Sequence, residues 1–174
     1  MNDDTRNVVD EFKGMSIESI INELDSNAHG LEIAIENLER DFNMGTIVRN
    51  ANAFGVRTVH VIGSRQWNKR GAMMTDKYLT IMYHTSVDEF IANVKGRSLI
   101  AIDNVEGSSP LASTVLEKEA IMVFGAEGPG ISDELLRRCD KTIAIEQFGS
   151  TRSVNVGVAA GIAMYEWLRR HRLT

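Results

Sequence analysis

At 174 residues, with 43% hydrophobic and 25% charged residues, the chain has the size and composition of one globular domain with a sizeable core. No apolar run reaches membrane-spanning length, the acidic start MNDDTRNVVDEFKG is unlike a secretory signal, and the single cysteine, Cys139, excludes an internal disulfide and fits a reducing cytoplasm. The net charge of −5 argues against a generic nucleic-acid binder, yet it is confined: residues 1–30 hold seven acids against two bases, whereas residues 31–174 hold 17 of each. A polyanionic partner therefore stays compatible with local basic clusters on the main body.

In chain order, residues 1–28 read as a helical extension. Phe12, Met15, Ile17, Ile20, Ile21 and Leu24 recur at roughly helical spacing between acids. Residues 29–174 read as the domain proper. Leu31–Glu36 alternates as a strand, Asn37–Phe42 is a connection, and Asn43–Phe54 is a helix with Ile47, Val48, Ala51 and Phe54 inside, stopped by Gly55. Thr58–Ile62 is a strand. Gly63–Lys77 is an irregular segment carrying Arg65, Lys69, Arg70 and Lys77 around Trp67, which either stacks on a nucleic-acid base or folds back on the core.

Tyr78–Tyr83 is expected as a short strand. Ser86 caps a helix through Lys95 that buries Val87, Phe90, Ile91 and Val94. Ser98–Ile102 is a strand, Asp103–Ser109 a loop, Pro110–Ser113 a turn, and Ala120–Phe124 a strand apolar enough to be buried on both faces. The stretch Gly125–Ser132 (GAEGPGIS) precedes a helix over about Asp133–Cys139, where Cys139 reads as structural despite Arg137 and Arg138 beside it. Thr142–Glu146 is the last strand. A polar turn, Gln147–Arg152, then leads to a helix capped by Ser153, with Val154, Val158, Ile162 and Tyr165 at helical spacing and Arg169, Arg170, His171 and Arg172 at its end. Strands alternating with helices predict a parallel α/β sheet with helices on both faces.

Three stretches carry chemistry: Asn43–Gly55, Gly125–Ser132 and Gln147–Ala160. Two directly follow strands, so in a parallel sheet they converge at the carboxyl edge, where ligands bind. GAEGPGIS lacks the Gly-Lys-Ser/Thr ending of a P-loop and the spacing of a dinucleotide fingerprint. Its glycines still let backbone approach a ligand closely. Arg49, on an otherwise apolar or small-residue helix, has a donor fork suited to a phosphate or a developing oxyanion. None of the four histidines has a metal-ligand or triad partner at recognisable spacing, so no metal is expected.

N-x-G-x-x-x-R-N-A from Asn43, F-G-A-E-G-P-G-I from Phe124 and S-V-N-V-x-x-A-A-G-I-A from Ser153 together resemble, in order and spacing, the three motifs of the SpoU/TrmH branch of the SPOUT RNA methyltransferases. The resemblance runs from Asn43 to Trp167. It implies S-adenosylmethionine as cofactor, transfer of methyl to a ribose 2′-hydroxyl of tRNA or rRNA, a homodimer, and a C-terminal trefoil knot that periodicity alone does not predict. It implies catalytic roles for Asn43, Arg49, Glu127, Ser153 and Asn155. It places the cofactor against Gly125, Ile145 and Val154, with Gly130, Gln147 and Gly149 as neighbouring contacts.

No histidine or cysteine lies in these motifs to take the hydroxyl proton. Either Arg49 is depressed enough to act as base, or it stays charged and stabilises the alkoxide or grips a phosphate. Electrostatics favours the second, because a guanidinium stays protonated in proteins. Without an added RNA-binding domain, RNA is expected on Arg65, Lys69, Arg70 and Arg152, with the Arg169–Arg172 end beside them. The small residues Ala159, Ala160, Gly161 and Ala163 are expected at the dimer interface. The rival readings are a catalytically silent RNA-binding protein on the same fold and an unrelated α/β nucleotide-binding enzyme.

Overall fold

A computed structural model describes residues 4–37 and 43–173. The apolar runs become strands β1 (Glu32–Asn37), β2 (Thr58–Gly63), β3 (Thr80–His84), β4 (Ser98–Ile102), β5 (Ser109–Pro110), β6 (Ala120–Phe124) and β7 (Lys141–Ala144). They form one sheet in the order β3-β2-β1-β6-β4-β7-β5, and each pairing in it is parallel. The helices are α1 (Ile17–Ser26), α2 (Asn43–Ala53), α3 (Val87–Asn93), α4 (Asp133–Leu136) and α5 (Val156–His171). Asn37, expected to open the connection to α2, pairs with Gly63 in the sheet; residues 38–42 lie outside the described residues. Pro110, expected in a turn, sits on the edge strand β5, where its missing N–H costs nothing.

Two apolar layers flank the sheet. Ile33, Ile35, Val59, Met122 and Phe124 pack with Met44, Ile47 and Val48 of α2 and Ala160, Met164 and Trp167 of α5. Ala34, Ile62, Ile121 and Val123 point the other way, against Phe90 of α3 and Leu135 of α4. The alternation along β1 and β6 places helices on both faces, as the period-2 geometry of a strand requires.

Helix α5 corrects two expectations. Its cap is Asn155, not Ser153: the Asn155 side chain accepts from the backbone N–H groups of Gly157 and Val158 at 3.0 and 3.3 Å. Ser153 lies two residues too early to reach those donors. Second, the small row is turned inward. Gly157, Ala160, Ala163, Met164 and Trp167 are buried, while Val158, Ile162 and Tyr165 are 53%, 41% and 51% exposed. Small residues let α5 lie close on α2: a methyl group on Gly157 would come 2.9 Å from Thr46. Ala160 and Ala163 therefore cannot form an exposed interface. At the far end Arg169 and Arg170 pair with Glu166, and Arg170 donates to the carbonyls of Leu111, Ala112 and Thr114, which ties the helix to the sheet edge.

The extension is looser. A 3-10 turn at Asp10–Phe12 precedes α1, which Ser16 caps, and only Ile20 of α1 is buried. Arg57 clasps Asp25 at 2.7 Å and fastens the helix to the start of β2.

Candidate functional site

Because every strand pairing is parallel, the carboxyl ends of β6, β4 and β7 lie side by side on one edge. Their following segments, 125–130, 103–105 and 145–156, line a cavity of about 570 Å³. That is within the usual range for a small-molecule site. Five of the six positions expected around a cofactor line it: Gly125, Gly130, Ile145, Gln147 and Val154. Gly149 does not, and lies exposed in the turn beyond. A methyl group on Gly125 would sit 2.1 Å from the Gly130 carbonyl carbon, so only glycine lets 125–131 close on itself through the Ala126–Gly130 bridge. The Oε1 atom of Gln147 is buried and has no partner among the described residues, an acceptor that a bound molecule can satisfy.

Three of the motif side chains meet at the rim. Asn43, opening α2, donates through Nδ2 to Glu127 Oε2. Asn155 donates through Nδ2 to Asn43 Oδ1 at 2.8 Å and lies 3.4 Å from Glu127 Oε1, while its own oxygen caps α5. Residues 28 to 112 positions apart in sequence are thus joined in one hydrogen-bonded group. Ser153 and Arg152 line the same cavity.

Arg49 is not brought to the cavity. It is exposed on the face of α2 shared by Thr46 and Ala53, and its guanidinium makes no hydrogen bond or ion pair among the described residues. Gly45, one turn before it, explains the spacing of the first motif. A methyl group there would meet Asn68 O, Ala72 N and Gly71 Cα at 2.9 Å, so glycine lets the basic segment 63–79 lie directly on α2. Within that segment Trp67 folds back, half-buried on the core, with Nε1 3.4 Å from the Tyr83 hydroxyl. Lys69 pairs with Asp76 at 2.9 Å and stands over the Trp67 ring, Arg65 stands over Tyr83, and Arg70 is exposed.

Three further residues of this edge stand outside the sequence motifs. Asp103 and Asn104, at the end of β4, line the cavity and brace its walls: Asp103 Oδ2 accepts from Ile131 N at 2.9 Å, and Asn104 Nδ2 donates to Arg152 O at 2.8 Å. Glu36, only 3% exposed at the end of β1, accepts from Ser132 N and Oγ at 2.7 and 2.6 Å and fixes the entry to α4. The available signal was their place, directly after or at the end of apolar strands on the ligand-binding edge.

The histidines do find partners. His60 Nε2 lies 2.9 Å from Glu32, and His60 Nδ1 lies 2.9 Å from His84 Nε2. If His60 donates to Glu32 and His84 donates to His60, His84 Nδ1 is left as a buried acceptor without a donor. Burial first, and then the neighbouring His60, holds His84 below the usual imidazole range. Among the described residues no group of three or more His, Cys, Asp or Glu is arranged to hold a metal ion. Burial, with Asp140 adding to it, pushes the Cys139 thiol up to about 12, so Arg137 and Arg138 do not activate it.

Known proteins resemble this chain in sequence and in fold. The family model described as SpoU rRNA Methylase matches residues 30–165. The tRNA (guanosine(18)-2′-O)-methyltransferase of Escherichia coli K12 is 26% identical over 147 residues, 82% of this chain and 64% of that protein. The protein of the same name from Thermus thermophilus is 28% identical over 153 residues, 82% of this chain and 76% of that one. The SpoU methyltransferase AviRb from Streptomyces viridochromogenes, solved with the cofactor AdoMet, superposes with a TM-score of 0.71 at 23% identity, over 82% of this chain and 58% of that one. The chain thus spans less than two thirds of the length of the Escherichia coli relative.

Proposed function

The chain belongs to the SpoU rRNA methylase family, and on that premise we propose that it is an S-adenosylmethionine-dependent RNA methyltransferase. It places a methyl group on a ribose 2′-hydroxyl of tRNA or rRNA and works in the cytoplasm as a homodimer. Residues 29–174 form the catalytic domain with a C-terminal trefoil knot, and residues 1–28 are an appended helical extension. The observation that carries the reading is the meeting of Asn43, Glu127 and Asn155 at the rim of a glycine-walled cavity.

The cavity fits the cofactor's chemistry. Backbone at Gly125 and Gly130, the unpartnered Gln147 Oε1, and the apolar walls of Ile145 and Val154 suit a flat ring with donors and acceptors on its edge. When bound, S-adenosylmethionine supplies an electrophilic methyl on a sulfonium. The protein has to hold the RNA hydroxyl in line and remove its proton. The Asn43–Glu127–Asn155 group, with Ser153 beside it, fixes the rim against which the ribose is aligned, and such alignment supplies much of the acceleration. Arg49 stays protonated and meets the alkoxide or an adjacent phosphate once RNA is bound. The proton leaves to water or another group at the rim. Arg65, Lys69, Arg70 and Arg152 grip the RNA backbone, so affinity falls steeply with salt.

The homodimer rests on the outer row of α5. Ile162 and Tyr165 border a groove of about 560 Å³ that Leu111 and Ile145 also line; Val158 is exposed one turn before Ile162, and Phe54 lies 6.2 Å from Tyr165 between ring centres. A second copy apposing the same face would cover it in an isologous interface. Ile162→Glu with Tyr165→Ser should give monomers in sedimentation; an unchanged dimer would contradict this placement. Isothermal titration with S-adenosylmethionine tests the enzyme reading. Binding supports it, and no binding favours the catalytically silent RNA-binding protein.

A further inference from the structure

Two carboxylates line the cavity, and they are held differently. Glu127 is bound up with Asn43 and Asn155 at the rim. Asp103 stands at the carboxyl end of β4, the strand between β6 and β7, and so beneath both loop walls. Backbone alone fixes it: Oδ1 accepts from Asn104 N at 2.8 Å and Oδ2 from Ile131 N at 2.9 Å. A carboxylate oxygen accepts more than one hydrogen bond, and among the described residues no further donor reaches either one. Gly130 keeps that face open. Its φ is +73°, and a methyl group there would come 2.7 Å from Oδ2.

We propose that Asp103 is the specificity contact for the cofactor's ribose, its two oxygens accepting the vicinal hydroxyls. The inference rests on the cofactor reading above. Two carboxylate oxygens are spaced to meet adjacent hydroxyls, and a carboxylate at a strand end beside a glycine-rich turn is a recurrent solution for ribose recognition. A charged acceptor also makes the stronger kind of hydrogen bond. The same residue braces Ile131, so ribose recognition and the shape of the Gly125–Ile131 wall are set by one side chain.

The test is calorimetric binding of S-adenosylhomocysteine and of its 2′-deoxy and 3′-deoxy analogues, which needs neither RNA nor turnover. The wild type should bind each deoxy analogue about tenfold or more weakly than the parent. Asp103→Asn keeps an oxygen for Ile131 N but loses the charge and one acceptor; it should bind the parent about tenfold more weakly and discriminate less between parent and analogues. Equal binding of all three by the wild type overturns the inference alone, and that arm stands even if the variant fails to fold. Full discrimination retained by Asp103→Asn also overturns it. Binding of none of the three overturns the cofactor reading and the inference with it.

Discussion

Two of the polar clusters among the described residues lie around one sheet, one at its carboxyl edge and one on its α3 face, and they differ in access. At the carboxyl edge Asn43, Glu127 and Asn155 come from three different segments, satisfy one another, and face a cavity. On the α3 face Glu32, His60 and His84 form a chain across β1, β2 and β3, and Phe90 lies against both imidazoles with ring centres 5.3 and 5.4 Å away. Both histidines are buried. The second cluster has the residue types usually searched for in an active site, yet its two histidines are buried, and only Glu32, paired with Arg97, reaches the surface. Position relative to the strand ends, rather than side-chain type, separates the two.

Substitutions in the two clusters should separate stability from activity. Phe90→Ala should cost about 3–5 kcal/mol in denaturant unfolding, because the side chain is fully buried, while turnover per folded molecule is kept. A stable variant with lost turnover would reverse the roles of the clusters. Arg49→Lys should do the opposite. Turnover on RNA should fall by about 10²-fold or more, with an unchanged melting temperature because the side chain is exposed and unpaired among the described residues. Asn155→Ala should affect both readouts. It removes the helix cap, at about 1 kcal/mol, and it breaks the rim group, so catalysis drops more than stability; a loss of stability alone would reduce Asn155 to a cap.

The smallest effect is in pH. Burial disfavours the protonated form of His84 in the folded protein, whereas the unfolded chain takes up a proton below about pH 6.5. The stability tied to the neutral ring is complete above that pH and is lost as pH falls toward the lower folded value, with a slope of at most about 1.4 kcal/mol per pH unit for one proton. His29, also lowered by burial, adds a contribution of the same sign. Glu32 and Glu89 are the carboxylates nearest the cluster; Glu89 favours the protonated ring but does not outweigh burial. Melting curves between pH 5 and 8 should therefore slope downward toward acid, and His84→Gln should flatten part of that slope. An unchanged slope in the variant would remove His84 as its source.

Much of the fold was legible because buried parallel strands announce themselves: Ala120–Phe124 is apolar at every position and is the fully buried β6. Of the motif residues, Asn43, Glu127 and Asn155 are joined by hydrogen bonds that give their spacing a physical reason, whereas Arg49 stands apart from the cavity. Helix α5 was harder. It is apolar on two sides, so periodicity could not say which row faces inward, and packing against α2 selected the small row at Gly157, Ala160 and Ala163. Ser153 and Asn155 are both good capping residues, and only the helix start at Val156 decides between them. Asp103 had no periodic signal, since a loop carboxylate looks solvated until the neighbouring Ile131 amide is placed against it.

Methyl transfer to ribose at the glycine-walled cavity and its rim is the activity proposed for the protein. Its most direct test is incubation of the protein with tRNA and rRNA transcripts and isotope-labelled S-adenosylmethionine, followed by nucleoside mass spectrometry. Label is predicted on a ribose 2′-oxygen, and it should be lost in Arg49→Lys. Label on a base, or cofactor binding with no methylated nucleoside from any transcript while native RNA is equally unmodified, would contradict it.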